Sequence, residues 1–547
     1  MADSWKPLQK QEMKHYEAID KESLEFLSNR YNKVNRWVIA DMIRRSAYRY
    51  PDKPALIFKD RTLTYSQLEA DCNRVANALE ELGVKKYDRV AILAHNTLDH
   101  VLTWIGCAKI GAVYLAINYL LRGKDIAYCI NHSESAVFVV EDSLFDLVKD
   151  VVDDMPTVKT WIWSKQGAGK PANDGRFLDF ENWYAEYPAD EPDTILHIEE
   201  PCQMTYTSGT ESLPKGVLIS NQALMAQYMG AIVDGQYDET DINVNALPIY
   251  HCAQRDVFMN PVFWVGGTNV LILPDIGQIL KSLAEYKATM FFAPPTVWIG
   301  MLRHPDLATY DLSHLKKCYY GASIMPVEIL KEIMEKFPGT GIWNYYGQTE
   351  LAPYHTVLKA KDALRKLGSA GMGGLNMETR LEDDACNPIA QPGVPGEICG
   401  KGPHALIMYF KDPVKTEEAM KGGWFHSGDI GVMDEDRYIT VADRKKDMIK
   451  TGGENVPTRE VEEAIYLDPR VQEVAVIGLP DPKWVEKVTA VIVPKAGQTI
   501  TEEEIFAHCR RELAAFKCPK KVIFVDALPK TPTGKILKRE LRQRYNK

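Results

Sequence analysis

An α/β fold is the class this sequence predicts: a large amino-terminal domain of mostly parallel, helix-covered sheets with a small β-rich module, then a small carboxyl-terminal α+β domain. Three observations predict it. From Trp37 onward, segments with helical spacing alternate with short β-rich runs, the pattern of βα units that build parallel sheets covered on both faces. Residues 367–440 hold many short β segments punctuated by Gly and Pro. After the charge cluster Asp443-Arg444-Lys445-Lys446-Asp447, helix and strand patterns resume in a tail of domain size. The expected division is therefore 1–443 and 444–547.

Taken in order, residues 1 to about 36 are polar and charged and predict outer helical packing. Tyr65 to Leu82 has helical spacing and stops at Gly83. Arg89–Ala94 reads as a buried strand, His100–Ile110 as a helix ending at Gly111, and Ala112–Ala116 and Ala136–Val140 as further strands. Ser164–Asp193, rich in Gly, Pro, Asp and Asn, reads as loop. Gln203–Thr207 and Val217–Ser220 alternate as strands on either side of a glycine-punctuated loop. A second βα series follows from Asn243 to about Thr349, with a strand at Thr289–Ala293 and a helix at Val327–Lys336. In the tail, helices are expected at Arg459–Leu467 and Glu502–Leu513, and strands at Val474–Gly478 and Thr489–Val493.

The 547 residues exceed one ordinary core and divide into two or three domains. A net charge of −10, from 65 Lys and Arg against 75 Asp and Glu, argues against nucleic acid as a partner. The ten cysteines are scattered with no C-x-x-C pair, which fits reduced thiols of the cytoplasm better than a disulfide frame or zinc site. The start has no apolar signal core, and no apolar run reaches transmembrane length. The nearest candidate, Val257–Leu280, is broken by Asn260, Pro261, Gly266, Gly267, Pro274 and Asp275 and reads as buried core. A homodimer is compatible with the sequence, which shows no dimer face.

The loop between the two predicted strands, Thr207-Ser208-Gly209-Thr210-Glu211-Ser212-Leu213-Pro214-Lys215-Gly216, can turn backbone N–H groups and hydroxyls inward as an anion site closed by Lys215. It is not a Walker loop, since G-x-x-x-x-G-K-[ST] is absent and a strand follows. Four later stretches share its polar character: Asn344-Tyr345-Tyr346-Gly347-Gln348-Thr349-Glu350, Gly423 through Ser427-Gly428-Asp429, Asp443-Arg444 through Gly452-Gly453-Glu454-Asn455-Val456, and Pro529-Lys530-Thr531-Pro532-Thr533-Gly534-Lys535-Ile536. Singly, each is an ordinary cap, turn, ion pair or solvated loop.

Together and in this order, the five stretches closely resemble the adenylate-forming superfamily of acyl-CoA synthetases, peptide-synthetase adenylation domains and firefly-luciferase-like enzymes. The resemblance runs from about Trp37 to Leu541. It implies an AMP-forming acid–thiol ligase using ATP, Mg2+ and CoA on a small carboxylic acid. It places Thr207, Ser208, Gly209, Thr210 and Lys215 on the β,γ-phosphates, and Glu350, with Thr207, on Mg2+. Thr349 would reach the phosphates beside Glu350. Gly321, Ala322, Ser323 and the stretch Asn344, Tyr345, Tyr346, Gly347 and Gln348 would form the adenine site, with Tyr346 stacked on the ring. Asp429 would accept the ribose hydroxyls with Arg444 nearby, and His251 would gate the carboxylate entrance. Lys535 matches the adenylation lysine, and Lys446 the hinge that would swing Gly452 and Gly453 toward the thiol. The acyl pocket, near His251, Thr296–Ile299, Gly321–Ser323 and Leu351–Pro353, is largely apolar, with Val297, Trp298 and Leu351 prominent; this favours a hydrophobic, fatty monocarboxylate. An aryl or cinnamate-type acid is the close competitor, and a non-catalytic acyl or nucleotide sensor the alternative of another class. Three places depart from the family pattern: Ser220-Asn221 in place of Ser/Thr-His, Pro457 one position early, and Trp484-Val485-Glu486 in place of Trp-Gly-Glu.

Overall fold

The computed structural model describes residues 28–167, 175–207, 214–323, 325–445, 447–451, 454–530 and 536–546. Ser208, Gly209, Thr210, Lys446, Gly452, Gly453 and Lys535 lie outside the described residues.

Among the described residues the strands form four sheets. The first runs, edge to edge, Met408–Tyr409, Lys215–Ser220, Pro201–Thr207, Val113–Ala116, Arg89–Leu93, Ser135–Glu141, Thr160–Ser164 and Phe177–Asp179. Pairing is parallel from Pro201–Thr207 onward and antiparallel at the other edge. The second runs Met372–Gly373, Thr356–Leu358, Gly341–Tyr346, Lys317–Gly321, Met290–Ala293, Ile242–Asn245, Thr268–Leu271, Pro54–Phe58 and Arg61–Thr64. It is parallel in the middle and antiparallel at both ends. Its inner strand Met290–Ala293 and the first sheet's Val113–Ala116 are buried at every residue, as continuous apolar runs between helical layers must be.

The helices begin and end where their sequence dictates. Tyr65–Glu81 opens with a Thr64–Gln67 capping box, and Gly83 follows at φ +80°. Leu98–Lys109 is capped by Thr97. The segment expected as loop, Ser164–Asp193, instead holds the edge strand Phe177–Asp179 and the helix Phe180–Ala185. Asp179 caps that helix, and Phe180 and Tyr184 bury its apolar face. The polar composition of the segment hid two anchoring rings.

A five-stranded antiparallel sheet forms the β-rich module, in the order Pro388–Ile389, Glu378–Glu382, Pro395–Lys401, Phe425–Met433 and Ile439–Arg444. The last sheet starts at Ile449–Thr451 and contains Glu454–Val456, Val485–Pro494, Val471–Asp481 and Lys521–Phe524. No helix among the described residues is long and apolar enough to cross a membrane.

Two buried polar devices tie the large sheets together. Asn96, just past Arg89–Leu93, donates to the carbonyls of Asn245, Leu247 and Ile272 and accepts from the Ile249 N–H. Arg255 and Asp256, both 0% exposed, form an ion pair at 2.8 Å. Gln203 and Tyr228 complete the shell, and Arg255 lies over the rings of Trp104 and Tyr114. Each charge is thus paired and hydrogen-bonded, which is what makes burial tolerable.

Val485 adopts φ +71°, a conformation that a β-branched side chain enters only with strain. It stands where the resembling family usually has glycine. Val485→Gly is expected to stabilise the carboxyl-terminal sheet by about 1 kcal/mol, since relieved strain exceeds the added unfolded-chain entropy. Urea unfolding followed by Trp484 fluorescence checks this; a lower midpoint would contradict it.

Candidate active site

The hairpin is the first wall. Pro201–Thr207 and Lys215–Ser220 pair antiparallel with Thr207 opposite Lys215, so a loop closes between a hydroxyl and an ammonium. The edge strand Met408–Tyr409 pairs alongside, with Tyr409 opposite Val217. The Lys215 ammonium sits 4.9 Å from the Tyr409 ring centre, a cation–π distance. The Tyr409 hydroxyl donates to Glu350 Oε1 at 2.9 Å, and the Leu406 N–H donates to the Glu350 carbonyl at 2.8 Å. Burial and the Glu350 charge push the Tyr409 phenol up, which keeps it a donor. Tyr409 therefore couples Lys215 to Glu350, a role that a tyrosine in a turn-rich stretch does not announce in sequence.

Cys252, next to His251, meets Thr349 at the next corner. Thr349 Oγ1 is 3.4 Å from Cys252 Sγ, and the half-buried His251 takes the Ala253 N–H on Nδ1 at 3.2 Å. A π-helical turn, Ala253–Met259, follows, a local irregularity common beside functional sites. Burial pushes the Cys252 thiol up to about 12, which disfavours the thiolate.

Two strand ends form the floor. Along Gly341–Tyr346, side chains alternate between faces. Asn344 and Tyr346 line a cavity with Ala322 and Ser323, whereas Trp343 and Tyr345 pack into an aromatic cluster on the opposite side. The Tyr345 ring packs in the core, its hydroxyl donating to the Ala231 carbonyl, while the residue still borders the cavity between Asn344 and Tyr346. Gly347 follows where a Cβ would lie 1.7 Å from the Pro353 carbonyl oxygen. Trp298 and Leu351, expected in an acyl pocket, are also core: Trp298 packs on Phe291 and Phe337, and Leu351 is 0% exposed.

The third wall is a bulge. Cys399 pairs with His426, and Glu397 with Ile430, so Ser427, Gly428 and Asp429 are accommodated opposite a single residue. Gly428, at φ +72°, donates its N–H to Glu397 Oε1. Such bulges re-aim side chains. Asp429, 4% exposed, accepts from the Tyr346 hydroxyl at 2.8 Å and from Gln348 Nε2 at 2.9 Å, and pairs with Arg444 Nε at 3.2 Å. Burial and that carboxylate push the Tyr346 phenol well up.

The carboxyl-terminal segment closes the cavity, of about 460 Å³. Ile536, Lys538 and Glu462 line it together with Tyr346 and Asp429. Helix Thr458–Tyr466 abuts the strand Ile439–Arg444: the Thr458 N–H donates to Asp443, and Arg459 donates to the carbonyls of Val441 and Gly368. Lys538 pairs with Glu462 at 2.8 Å. Arg459, Glu462 and Lys538 escaped sequence reasoning because each reads as an ordinary helical charge. Of the expected site residues, the structure brings together Thr207, Lys215 and Glu350 around Tyr409, and Asn344, Tyr346, Gln348, Asp429 and Arg444 around the bulge.

Gly347→Ala should displace the turn against Pro353 and destabilise the large domain by roughly 2–4 kcal/mol. Urea unfolding by circular dichroism checks it; an unchanged midpoint would contradict the crowding.

The chain matches known proteins along most of its length. A model described as AMP-binding enzyme covers residues 43–410, and one described as AMP-binding enzyme C-terminal domain covers 460–535. A feruloyl-CoA synthase of Amycolatopsis sp is 32% identical over 503 residues, 92% of this chain and 98% of that protein. A long-chain-fatty-acid–CoA ligase of Escherichia coli O157:H7 is 32% identical over 532 residues, 92% of this chain and 94% of that protein. The crystal structure of the anthranilate CoA ligase AuaEII in complex with anthranoyl-AMP superposes with a TM-score of 0.86 at 27% identity, over 93% of this chain and 97% of that one. By these matches, which span both the large domain and the tail, this chain belongs to the AMP-binding enzyme family as an adenylate-forming acid–thiol ligase of the acyl-CoA synthetase type.

Proposed function

We propose that the acid is a hydrophobic monocarboxylate, a fatty acid in the first reading. The supporting observation is the uncharged part of the cavity wall, Thr296, Ile299, Tyr320, Met325 and Pro326; the same cavity is also lined by Asp429, Arg444, Arg459 and Glu462. A second reading, a compact aryl acid, draws support from the packed rings behind that wall. Phe258 stacks on Phe292 at 4.1 Å, and Tyr319 and Tyr345 close around them.

In the first step the substrate carboxylate oxygen attacks the α-phosphorus of ATP, and pyrophosphate leaves. Two anions meet, so positive charge and donors must already be in place. Lys215, Thr207, Ser208, Gly209 and Thr210 would hold the β,γ-phosphates, with Thr349 beside them. Asp429 would accept the ribose hydroxyls, its geometry fixed by Tyr346, Gln348 and Arg444. Gly321, Ala322, Ser323, Asn344 and Gly347 would bound adenine with Tyr346. Glu350 and Thr207 would hold Mg2+. Glu350 takes its hydrogen bond from the Tyr409 hydroxyl, and a carboxylate is the hard oxygen donor that suits this ion. When bound, Mg2+ supplies charge neutralisation on the phosphates. His251 would border the carboxylate entrance.

Lys535 would bridge the carboxylate and the α-phosphate as charge develops. That Ile536, the next residue, lines the nucleotide cavity supports this reading. In the second step the CoA thiolate attacks the adenylate carbonyl and AMP leaves. We assign residues 1–443 to an adenylation domain and 444–547 to a domain turning about Lys446, which would withdraw Lys535 and present Gly452 and Gly453. The sheet break between Arg444 and Ile449 supports that division. Scattered free cysteines support a cytoplasmic setting.

Lys535→Ala should lower acid-dependent pyrophosphate release about 10²–10³-fold or more, while conversion of presynthesised acyl-adenylate with CoA stays within several-fold. Equal loss of both half-reactions would overturn the role. A panel of fatty, aryl and amino acids, assayed for pyrophosphate release and thioester, tests the substrate. Fatty acids should lead; preference for amino acids would sink the reading.

A further inference from the structure

On the far side of the Asp429 bulge, three neighbouring strands turn their side chains to one common point. Glu382 lies on Glu378–Glu382, Cys399 on Pro395–Lys401 and His426 on Phe425–Met433. Antiparallel register sets Arg380 opposite Cys399 and Cys399 opposite His426, with Glu382 opposite Glu397 one pleat away. Period-two alternation therefore puts all five on one face.

The geometry points to a divalent-cation site of zinc type, with His426 Nδ1, the Cys399 thiolate and a Glu382 carboxylate oxygen as its protein ligands. One ligand atom from each residue lies within 4.8 Å of the other two. His426 Nδ1 to Cys399 Sγ is 3.5 Å. Zinc bonds of about 2.1 Å to nitrogen and about 2.3 Å to sulfur put two tetrahedral ligands roughly 3.5 Å apart. The other imidazole nitrogen already faces the Lys421 carbonyl at 3.2 Å, the second hydrogen bond that orients a ligating histidine.

Glu382 supplies an independent observation. It is 2% exposed; Arg380 holds Oε1, while buried Oε2 has no hydrogen-bond partner and faces the imidazole, 3.6 Å from Nε2. Arg380 already pairs the carboxylate through Oε1, so what stays open is a buried acceptor oxygen beside a thiol and an imidazole, which a bound cation would satisfy. A hard ion such as Mg2+ does not suit the sulfur; a borderline ion with N, S and O ligands does.

Charge allows the site. Binding releases the Cys399 proton to solvent as the metal–sulfur bond forms. The thiolate and Glu382 then balance the dication. Glu397, 3.5 Å from His426 Nδ1, is offset by Lys445, and Arg380 covers Glu382 while stacking on Trp424. Water would take the fourth position. The site would pin the base of the bulge that presents Asp429, a role separate from Mg2+ at Glu350.

The test uses untagged full-length protein, metal-stripped and then titrated with Co2+ alone. We expect visible d–d bands of tetrahedral cobalt with a thiolate charge-transfer band, saturating at one equivalent and displaced by Zn2+ but not by Mg2+. About one proton should be released per Zn2+ bound, and the unfolding midpoint should rise with Zn2+. Cys399→Ser should lose the charge-transfer band, and Glu382→Gln should weaken binding at least tenfold. Absence of the bands, or an unchanged titration in both variants, would overturn the site. Should Cys399→Ser fail to fold, the Glu382→Gln titration and the proton count decide alone.

Discussion

The buried pair of Arg255 and Asp256 is the interaction on which the rest of the large domain depends. It sits where the strand Pro201–Thr207, the helix Asn221–Gly235 and the π-helical turn after His251 converge. Neither charge reaches water, so each must be satisfied within the protein, and the partners are drawn from all three elements. Gln203 belongs to the hairpin and Asp256 to the turn that directly follows His251 and Cys252. Fixing one fixes the others, and the hairpin and the acidic corner keep a constant separation. Asn96 performs the same service at the strand ends of the two large sheets. A cluster of apolar side chains could fill that space, but it could not specify which strand end faces which.

What the sequence disclosed, and what it withheld, follows from the range of the interactions involved. Helix ends such as Thr64 and Gly83 were legible because capping is local. The two strands were legible from alternation on both sides of a glycine-rich loop, and they pair antiparallel. The parallel sheets were legible from uninterrupted apolar strands. The segment Ser164–Asp193 was misread because its two buried rings are outnumbered by polar neighbours.

At the site, residue types were legible while their directions were not. Tyr345 and Tyr346 are adjacent and identical, yet one is core and the other binds Asp429; only the pleat decides. Trp298 was attractive as a pocket residue for its size, and that size is what its core position uses. Tyr409 was invisible because its partners, Lys215 and Glu350, come from distant parts of the chain. The Val485 conformation was foreshadowed by a glycine expected in its place, though only the backbone reveals the strain.

Lys445 is held at both its backbone and its ammonium. Its N–H donates to the Gly428 carbonyl at 2.9 Å, while its ammonium reaches Asp384 and Glu397. Glu397 also holds the Gly428 N–H. The linker between the sheets is therefore stitched to the same small loop that aims Asp429. By reciprocity, anything that stiffens that loop also restrains the linker, and a linker that turns must loosen the loop's grip. In the proposed cycle, holding a nucleoside and swinging the tail would thus not be independent movements: the shared loop would make each a brake upon the other.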